Sequence, residues 1–85
     1  MVKYKIEIKK SAVKEIKKLP ANDIKKILEK ISSLVENPRP AGCLKLSGEE
    51  KYRIRFGVYR VLYEIQDNLL LVIVVKVAHR KDVYR

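Results

Sequence analysis

Arginine residues alternate with apolar residues in the second half of this chain. Residues 52–60 read Y-R-I-R-F-G-V-Y-R. In a β-strand successive side chains point to opposite faces, which predicts that Arg53 and Arg55 share one face. Gly57 can adopt the positive φ of a tight turn, and a hairpin there would return Arg60 to their side. Three guanidinium groups on one face predict a phosphate-binding patch.

The C-terminal tail adds an imidazole, further basic groups and an aromatic ring. His79, Arg80 and Tyr84 lie within the last seven residues, H-R-K-D-V-Y-R. Guanidinium groups that hold phosphates and a ring that stacks on an unpaired base are typical of binding to single-stranded RNA. Cleavage of RNA would further need charge stabilisation at phosphorus, activation of a 2′-hydroxyl and protonation of the leaving 5′-oxygen. Four other basic residues are expected to neutralise RNA phosphates without reading sequence: Lys51, Lys76, Lys81 and Arg85.

Charge and composition narrow the function classes. The net charge is +10 over 85 residues, and the sequence has one histidine and one cysteine. One cysteine cannot form an intramolecular disulfide, and one histidine with one cysteine does not suggest a metal site. No cofactor is expected. The absence of an apolar run of about 18 residues, and of a signal-peptide pattern, predicts a cytoplasmic protein without a membrane span. Chain length predicts a single domain over residues 1–85.

Hydrophobic periodicity predicts the elements that must position these groups. Residues 3–9 alternate as a half-exposed strand, and two helical patterns follow, the first capped by Ser11 and the second starting at Asn22 or Asp23. From Ala41 the period changes to two, with strands around residues 44–46, 52–56, 58–65 and 69–78. The predicted order is β-α-α-β-β-β-β. This is an α+β fold in which two antiparallel N-terminal helices pack on one face of a small antiparallel or mixed sheet.

The other face of the sheet is then expected to be open and to carry the arginines. Strict alternation in the last strand places Arg80 on that face together with Leu70, Val72, Val74, Lys76 and Ala78. The same alternation places His79 on the opposite face, unless the strand ends before it, so its direction stays open. Cys43 is expected to be a small buried apolar residue.

Several segments resemble the RelE branch of the RelE/ParE toxin superfamily of toxin–antitoxin pairs. The similarity covers nearly the whole chain and includes N-P-R (37–39), L-K-L-S-G (44–48), Y-R-I-R (52–55), Y-R-V-L-Y-E-I (59–65) and V-A-H-R-K-D-V-Y (77–84). The resemblance implies a RelE-like fold and a metal-independent endoribonuclease that cuts mRNA in the ribosomal A site and inhibits translation. It also implies a cognate acidic, RelB-like antitoxin as partner in a hetero-oligomer, besides the ribosome and mRNA.

The resemblance also assigns roles to individual residues. Arg60 and Arg80 match family arginines at the scissile phosphate, and Tyr84 matches a tyrosine that stacks on the cleaved nucleotide. Arg53 and Arg55 stand where well-known members have lysines, one of which is proposed as a general base. Arginine does not deprotonate in proteins, so both are expected to stabilise charge instead. The His79 imidazole is chemically the better acid or base, provided that it reaches the site.

Two other functions remain open on the sequence. A ParE-like toxin would inhibit DNA gyrase without hydrolysing RNA, and would not need the phosphate-binding arginines or the terminal H-R-x-x-V-Y pattern. An inactive homologue would survive only as a binding partner.

Overall fold

The computed structural model describes residues 3–46 and 51–79, and within them two α-helices pack on a five-stranded mixed sheet. The sheet order is β1-β5-β4-β3-β2; β1 runs parallel to β5 and the other neighbours are antiparallel. The elements are β1 (Lys5–Ile8), α1 (Lys10–Lys17), α2 (Ala21–Ser33), β2 (Leu44–Lys45), β3 (Lys51–Phe56), β4 (Tyr59–Gln66), a 3-10 turn (Asp67–Leu69) and β5 (Leu71–His79). This confirms the predicted element order and fold class.

The core lies between the helices and one face of the sheet. Helix α1 buries Ala12 and Ile16, and α2 buries Ile27 and Ile31, because three- and four-residue spacing places these side chains on one side of each helix. The strands contribute the alternate residues Tyr52, Ile54, Tyr59, Val61, Tyr63, Ile65, Val72, Val74 and Val77. Cys43 is half-buried and packs against this core.

Both helices begin earlier than the sequence indicates. Helix α1 begins at Lys10, so Ser11 lies inside it and does not cap it. Helix α2 begins at Ala21, directly after Pro20, whose φ of −57° already suits helix entry. Asp23 is therefore in the first turn of α2, where its carboxylate can contact the sheet. Neither helix in the described ranges is long and apolar enough to cross a membrane.

A β-bulge in β5 changes which residues share a face. Tyr63 pairs with Val74 but Leu62 pairs with Lys76, so Val75 is an extra residue on β5. Val77 therefore returns to the core beside Val61. The prediction that Val72, Val74, Lys76 and Ala78 all share the face of the arginines is therefore wrong for Val72 and Val74, which lie in the core. Lys76 and Ala78 do lie on the arginine side, opposite Leu62 and Arg60, because the alternation is interrupted at Val75.

An arginine-centred cluster joins several segments at the end of the sheet opposite the β3–β4 turn. The guanidinium of Arg39 donates to both carboxylate oxygens of Asp67, at 2.8 and 3.1 Å, and its Nε donates to the Tyr52 hydroxyl at 3.0 Å. The Tyr4 hydroxyl donates to the same carboxylate at 2.7 Å. These bonds connect the segment after α2 to β3, to the β4–β5 turn and to the residues before β1. The loop predicted at 47–50 lies outside the described residues.

Candidate functional site: the arginine face of the sheet

The β3–β4 hairpin places the arginines as the alternation predicts. Gly57 has a φ of 58° in a two-residue turn, and Phe56 pairs with Tyr59 across it. In that register Arg55 lies directly opposite Arg60, and Arg53 lies opposite Leu62. Paired residues of antiparallel strands project to the same side. Arg53, Arg55 and Arg60, here called the arginine face, therefore lie on the side of the sheet opposite the helices.

Exposure differs sharply among these residues. Arg55 is exposed and Arg53 is half-buried, whereas Arg60 is only 3% exposed. Ala78, which pairs with Arg60, is 7% exposed. The expectation that the whole arginine face is open is thus wrong at Arg60, because the surface around the Arg60–Ala78 pair is closed while the β3 side remains accessible.

The opposition of Arg55 and Arg60 has an electrostatic consequence. Like charges directly opposite each other on a sheet repel and are destabilising. An anion bound at the exposed guanidinium of Arg55 would relieve that repulsion and accept charge-assisted hydrogen bonds, and phosphate matches the guanidinium fork well. The geometry of this pair therefore favours an oxyanion ligand.

His79 lies on the other face of the sheet. It ends β5, pairs with Tyr59, and its ring meets the Tyr59 ring edge-on at 5.8 Å and 85°. Tyr59 faces α2, so the strand continues through His79 and directs its side chain to the helix side. A surface cavity of about 400 Å³ lies there, with Glu15, Lys18 and Lys76 in its lining. The structure does not bring His79 together with Arg55 and Arg60.

Of the four basic residues expected to neutralise RNA phosphates, the structure describes Lys51 and Lys76. Lys51 is half-buried on β3 opposite Glu64. Lys76 donates to the Glu15 carboxylate of α1 at 2.9 Å, and the same carboxylate accepts the Val77 N–H at 3.1 Å. Lys76 thus already has an acidic partner that an RNA phosphate would have to replace. Four predicted site residues lie outside the described ranges: Arg80, Lys81, Tyr84 and Arg85.

One contact of Tyr59, on the helix side of the sheet, was not foreseen from the sequence. The Tyr59 hydroxyl donates to the Asp23 carboxylate at 2.6 Å, across 36 residues of sequence. This bond, burial and the nearby negative charge all raise the pKa of Tyr59. Alternation indicates a strand at Tyr59 and the helical pattern gives Asp23 as a possible helix start, but periodicity alone does not pair positions so far apart. Within residues 3–46 and 51–79, no group of three or more histidine, cysteine or acidic residues could hold a metal ion.

Comparisons with known proteins agree with this architecture. The model of the family described as "ParE toxin of type II toxin-antitoxin system, parDE" matches residues 6–84. A candidate toxin named RelE1 from Methanocaldococcus jannaschii is 34% identical over 88 residues, which cover 99% of this chain and 98% of the relative.

Solved structures show the same similarity. The RelE–RelB complex of Pyrococcus horikoshii superposes with a TM-score of 0.84 at 30% identity, covering 94% of this chain and 97% of the other. The RelBE2 toxin–antitoxin complex of Mycobacterium tuberculosis gives a TM-score of 0.83 at 28% identity, covering 93% and 100%. Together with the family match, these likenesses show that the chain belongs to the ParE/RelE toxin family and is a RelE-like toxin of a toxin–antitoxin system.

Proposed function

We propose that this toxin is a ribosome-dependent endoribonuclease that cuts mRNA in the ribosomal A site, without a metal ion, and so inhibits translation in the cytoplasm. The observation that carries the proposal is the opposed pair Arg55 and Arg60, next to Arg53 on the same face. A gyrase-binding surface has no need of paired guanidinium groups, whereas a phosphate undergoing substitution is stabilised by positioned cations of this kind.

The proposed reaction is an intramolecular transesterification. The 2′-oxygen of one nucleotide forms a bond to phosphorus while the bond from phosphorus to the 5′-oxygen of the next nucleotide breaks. A base takes the proton of the 2′-hydroxyl and an acid protonates the leaving 5′-oxygen. The products are a 5′-hydroxyl end and a 2′,3′-cyclic phosphate, which can open to a 3′-phosphate.

The arginine face would supply charge stabilisation in this reaction. Arg55 is exposed and would meet the phosphate first, with Arg53 beside it. The cation of Arg60 is buried, so its field is screened less by solvent and salt. Arg80 and Tyr84 keep their proposed roles in phosphate contact and base stacking. Lys51, Lys81 and Arg85 would neutralise neighbouring phosphates.

The proposal is tested with purified toxin, ribosomes programmed with a defined mRNA, and mapping of the cleaved ends. The parent protein is expected to cut at the A-site codon, and Arg55→Ala should lower the cleavage rate roughly 100-fold, the scale of losing one positioned donor to a developing negative charge. Lys25→Ala is the matched control, because it removes one exposed cation from α2, on the side of the sheet away from the arginine face. A folded parent protein that leaves the A-site codon intact would refute the proposal.

A second candidate function is inhibition of DNA gyrase, and the description of the matching family model as a ParE toxin favours testing it. A gyrase inhibitor would block supercoiling of plasmid DNA in vitro. Its potency would be the same in the parent and in Arg55→Ala. A toxin inactive in both assays would indicate a homologue retained only for binding.

An antitoxin partner is also part of the proposal. The two superposed structures named above are of toxin–antitoxin complexes. The net charge of +10 favours an acidic partner through complementary potentials. Co-expression with the product of a neighbouring gene should yield a stable hetero-oligomer that loses cleavage activity, and separate elution of the two proteins would argue against the pairing.

A further inference from the structure

We infer that Tyr59 and Asp23 form a positioning pair that fixes the direction in which Arg60 leaves the sheet; the inference rests on the proposed function. The pair joins the first residue of β4 to the first turn of α2. Neither residue touches the arginine face itself. They act through the backbone of β4.

The arginine pair lies close to the end of the β3–β4 hairpin. Phe56 and Tyr59 form the last pair before the turn, and Arg55 and Arg60 form the next one. Val58 in the turn is 44% exposed. Exposed hairpin ends open at low free-energy cost. A contact that secures this end therefore determines how well the two guanidinium groups keep their relative position.

The bond between Tyr59 and Asp23 is short and involves a carboxylate. A 2.6 Å bond between a hydroxyl and a carboxylate is in the short range of charge-assisted hydrogen bonds, which are about twice as strong as neutral ones. Tyr59 is only 7% exposed. Its ring also meets the His79 ring edge-on, so Tyr59 is held at its hydroxyl by α2 and along its ring by β5.

Strand alternation connects the direction of Tyr59 to that of Arg60. Consecutive side chains of a strand leave on opposite faces, so fixing the rotation of the backbone at Tyr59 also fixes it at Arg60. Arg60 is 3% exposed and has little space in which to adjust. A shift of about 1 Å in a group that contacts the reacting atoms can cost roughly 100-fold in rate. Loss of the Asp23–Tyr59 bond should therefore lower kcat by more than a general loss of stability would explain.

Strand β4 offers a matched control in its middle. The hydroxyl of Tyr63, a residue with 0% exposure, donates to the backbone oxygen of Pro38 at 2.7 Å. Tyr63→Phe removes a hydroxyl of the same kind from the same strand, but the next residue is Glu64 instead of an arginine. A general loosening of the fold would affect both variants alike, whereas a positioning role affects only Tyr59→Phe.

The experiment compares Tyr59→Phe, Asp23→Ala, their double variant, Asp23→Asn and Tyr63→Phe. Tyr59→Phe and Asp23→Ala should each lower kcat for ribosome-bound mRNA by roughly tenfold to 100-fold at unchanged KM. The double variant should lose no more than either single one, because both remove the same bond. Asp23→Asn should restore part of kcat, because the asparagine amide keeps an oxygen that can accept from the Tyr59 hydroxyl. Parental kcat in Tyr59→Phe, or equal kcat losses in Tyr59→Phe and Tyr63→Phe, would overturn the inference.

A second readout does not depend on catalysis. The Nε–H resonance of Arg60 in the free toxin should shift in Tyr59→Phe and keep its parental position in Tyr63→Phe. If the parent protein cleaves no mRNA but this resonance behaves as expected, the proposed function fails and the positioning pair stands. If the parent cleaves and the resonance is unchanged in Tyr59→Phe, the positioning pair fails alone.

Discussion

Asp67 is a single residue whose ionised form holds separate segments together. Hydrogen bonds from Arg39 and then from Tyr4 lower the pKa of Asp67 from 3.8 to about 2. A carboxyl group with a lower pKa in the folded state stabilises the fold above its unfolded pKa, and that contribution is lost as pH falls through the folded pKa. The Asp67 contribution should therefore be complete above about pH 5, decrease as the pH falls, and be fully lost only below the folded pKa of about 2.

This pH dependence is measurable by urea unfolding between about pH 6 and pH 2. The parent protein should lose stability more steeply on acidification than Asp67→Asn, which has no titrating group at this position. At the upper end of that range the parent should be the more stable of the two. Identical slopes for both proteins would show that the Arg39–Asp67 contact does not contribute to acid unfolding.

The shared face of Arg53 and Arg55 could be predicted from alternation alone. The burial of Arg60 could not be predicted, because it depends on what the tertiary fold brings around β4 and β5. Because Arg60 is buried, Arg60→Ala should lower the free energy of unfolding as well as the cleavage rate. Arg55→Ala is the cleaner test of phosphate binding because Arg55 is exposed.

At the scale of elements, helix α2 carries two adjacent apolar residues, of which one is buried and the other is exposed. Ile27 has 0% exposure in the core, whereas Leu28 is 41% exposed. Ile27→Ala should lower the free energy of unfolding by roughly 2–5 kcal/mol, the usual cost of deleting a buried aliphatic side chain. Leu28→Ala should cost about 0.5 kcal/mol or less, as surface substitutions do.

Urea denaturation at neutral pH distinguishes these two variants. Circular dichroism before unfolding serves as the control, because both variants should keep the parental helix content. A cost for Leu28→Ala equal to that for Ile27→Ala would mean that Leu28 is packed in solution, for example between two copies of the toxin.

Element types were predictable here and their details were less so. The helical spacing of apolar residues along α2 and the alternation in β3 identified both elements correctly. The starts of the helices were missed, since Pro20 and Lys9 do not belong to the preferred N-cap residues. The bulge in β5 was missed because L-L-L-V-I-V-V-K-V-A is almost uniformly apolar, so its sequence does not show where the alternation changes.

At the scale of the whole molecule, the excess positive charge should make the fold sensitive to polyvalent anions. The net charge of +10 produces self-repulsion, and the Arg55–Arg60 pair concentrates part of it at one place. An anion that binds the folded state raises the midpoint of thermal unfolding as its concentration increases. Inorganic phosphate and a short RNA oligonucleotide should both stabilise the parent protein.

A thermal-shift titration locates the site of this effect. Stabilisation by phosphate should be smaller in Arg55→Ala than in Lys25→Ala, although each variant removes one exposed cation. Equal shifts in both variants would indicate diffuse attraction to the lysine-rich surface instead of a site at the arginine face. High concentrations of a monovalent salt should weaken the response to RNA in every variant.

The overall fold could be predicted from the sequence because its signals are local: periodicity in α2, alternation in β3 and a glycine where the hairpin needs a positive φ. The site could be predicted only in part. Contacts such as Asp23 with Tyr59 and Glu15 with Val77 join distant segments, and no local pattern encodes them.

The extra residue in β5 should also make the chain tolerant of shortening at that point. Deleting one residue from a regular strand moves every following side chain of that strand to the opposite face. Removing Ile54 from β3 should therefore unfold the protein. Deleting Val75 would instead convert the bulge into a regular ladder in which Tyr63–Val74 and Leu62–Lys76 remain neighbours. Homologues with one residue fewer between β4 and the tail can therefore share this architecture, and a Val75 deletion that melts cooperatively near the parental temperature would demonstrate it.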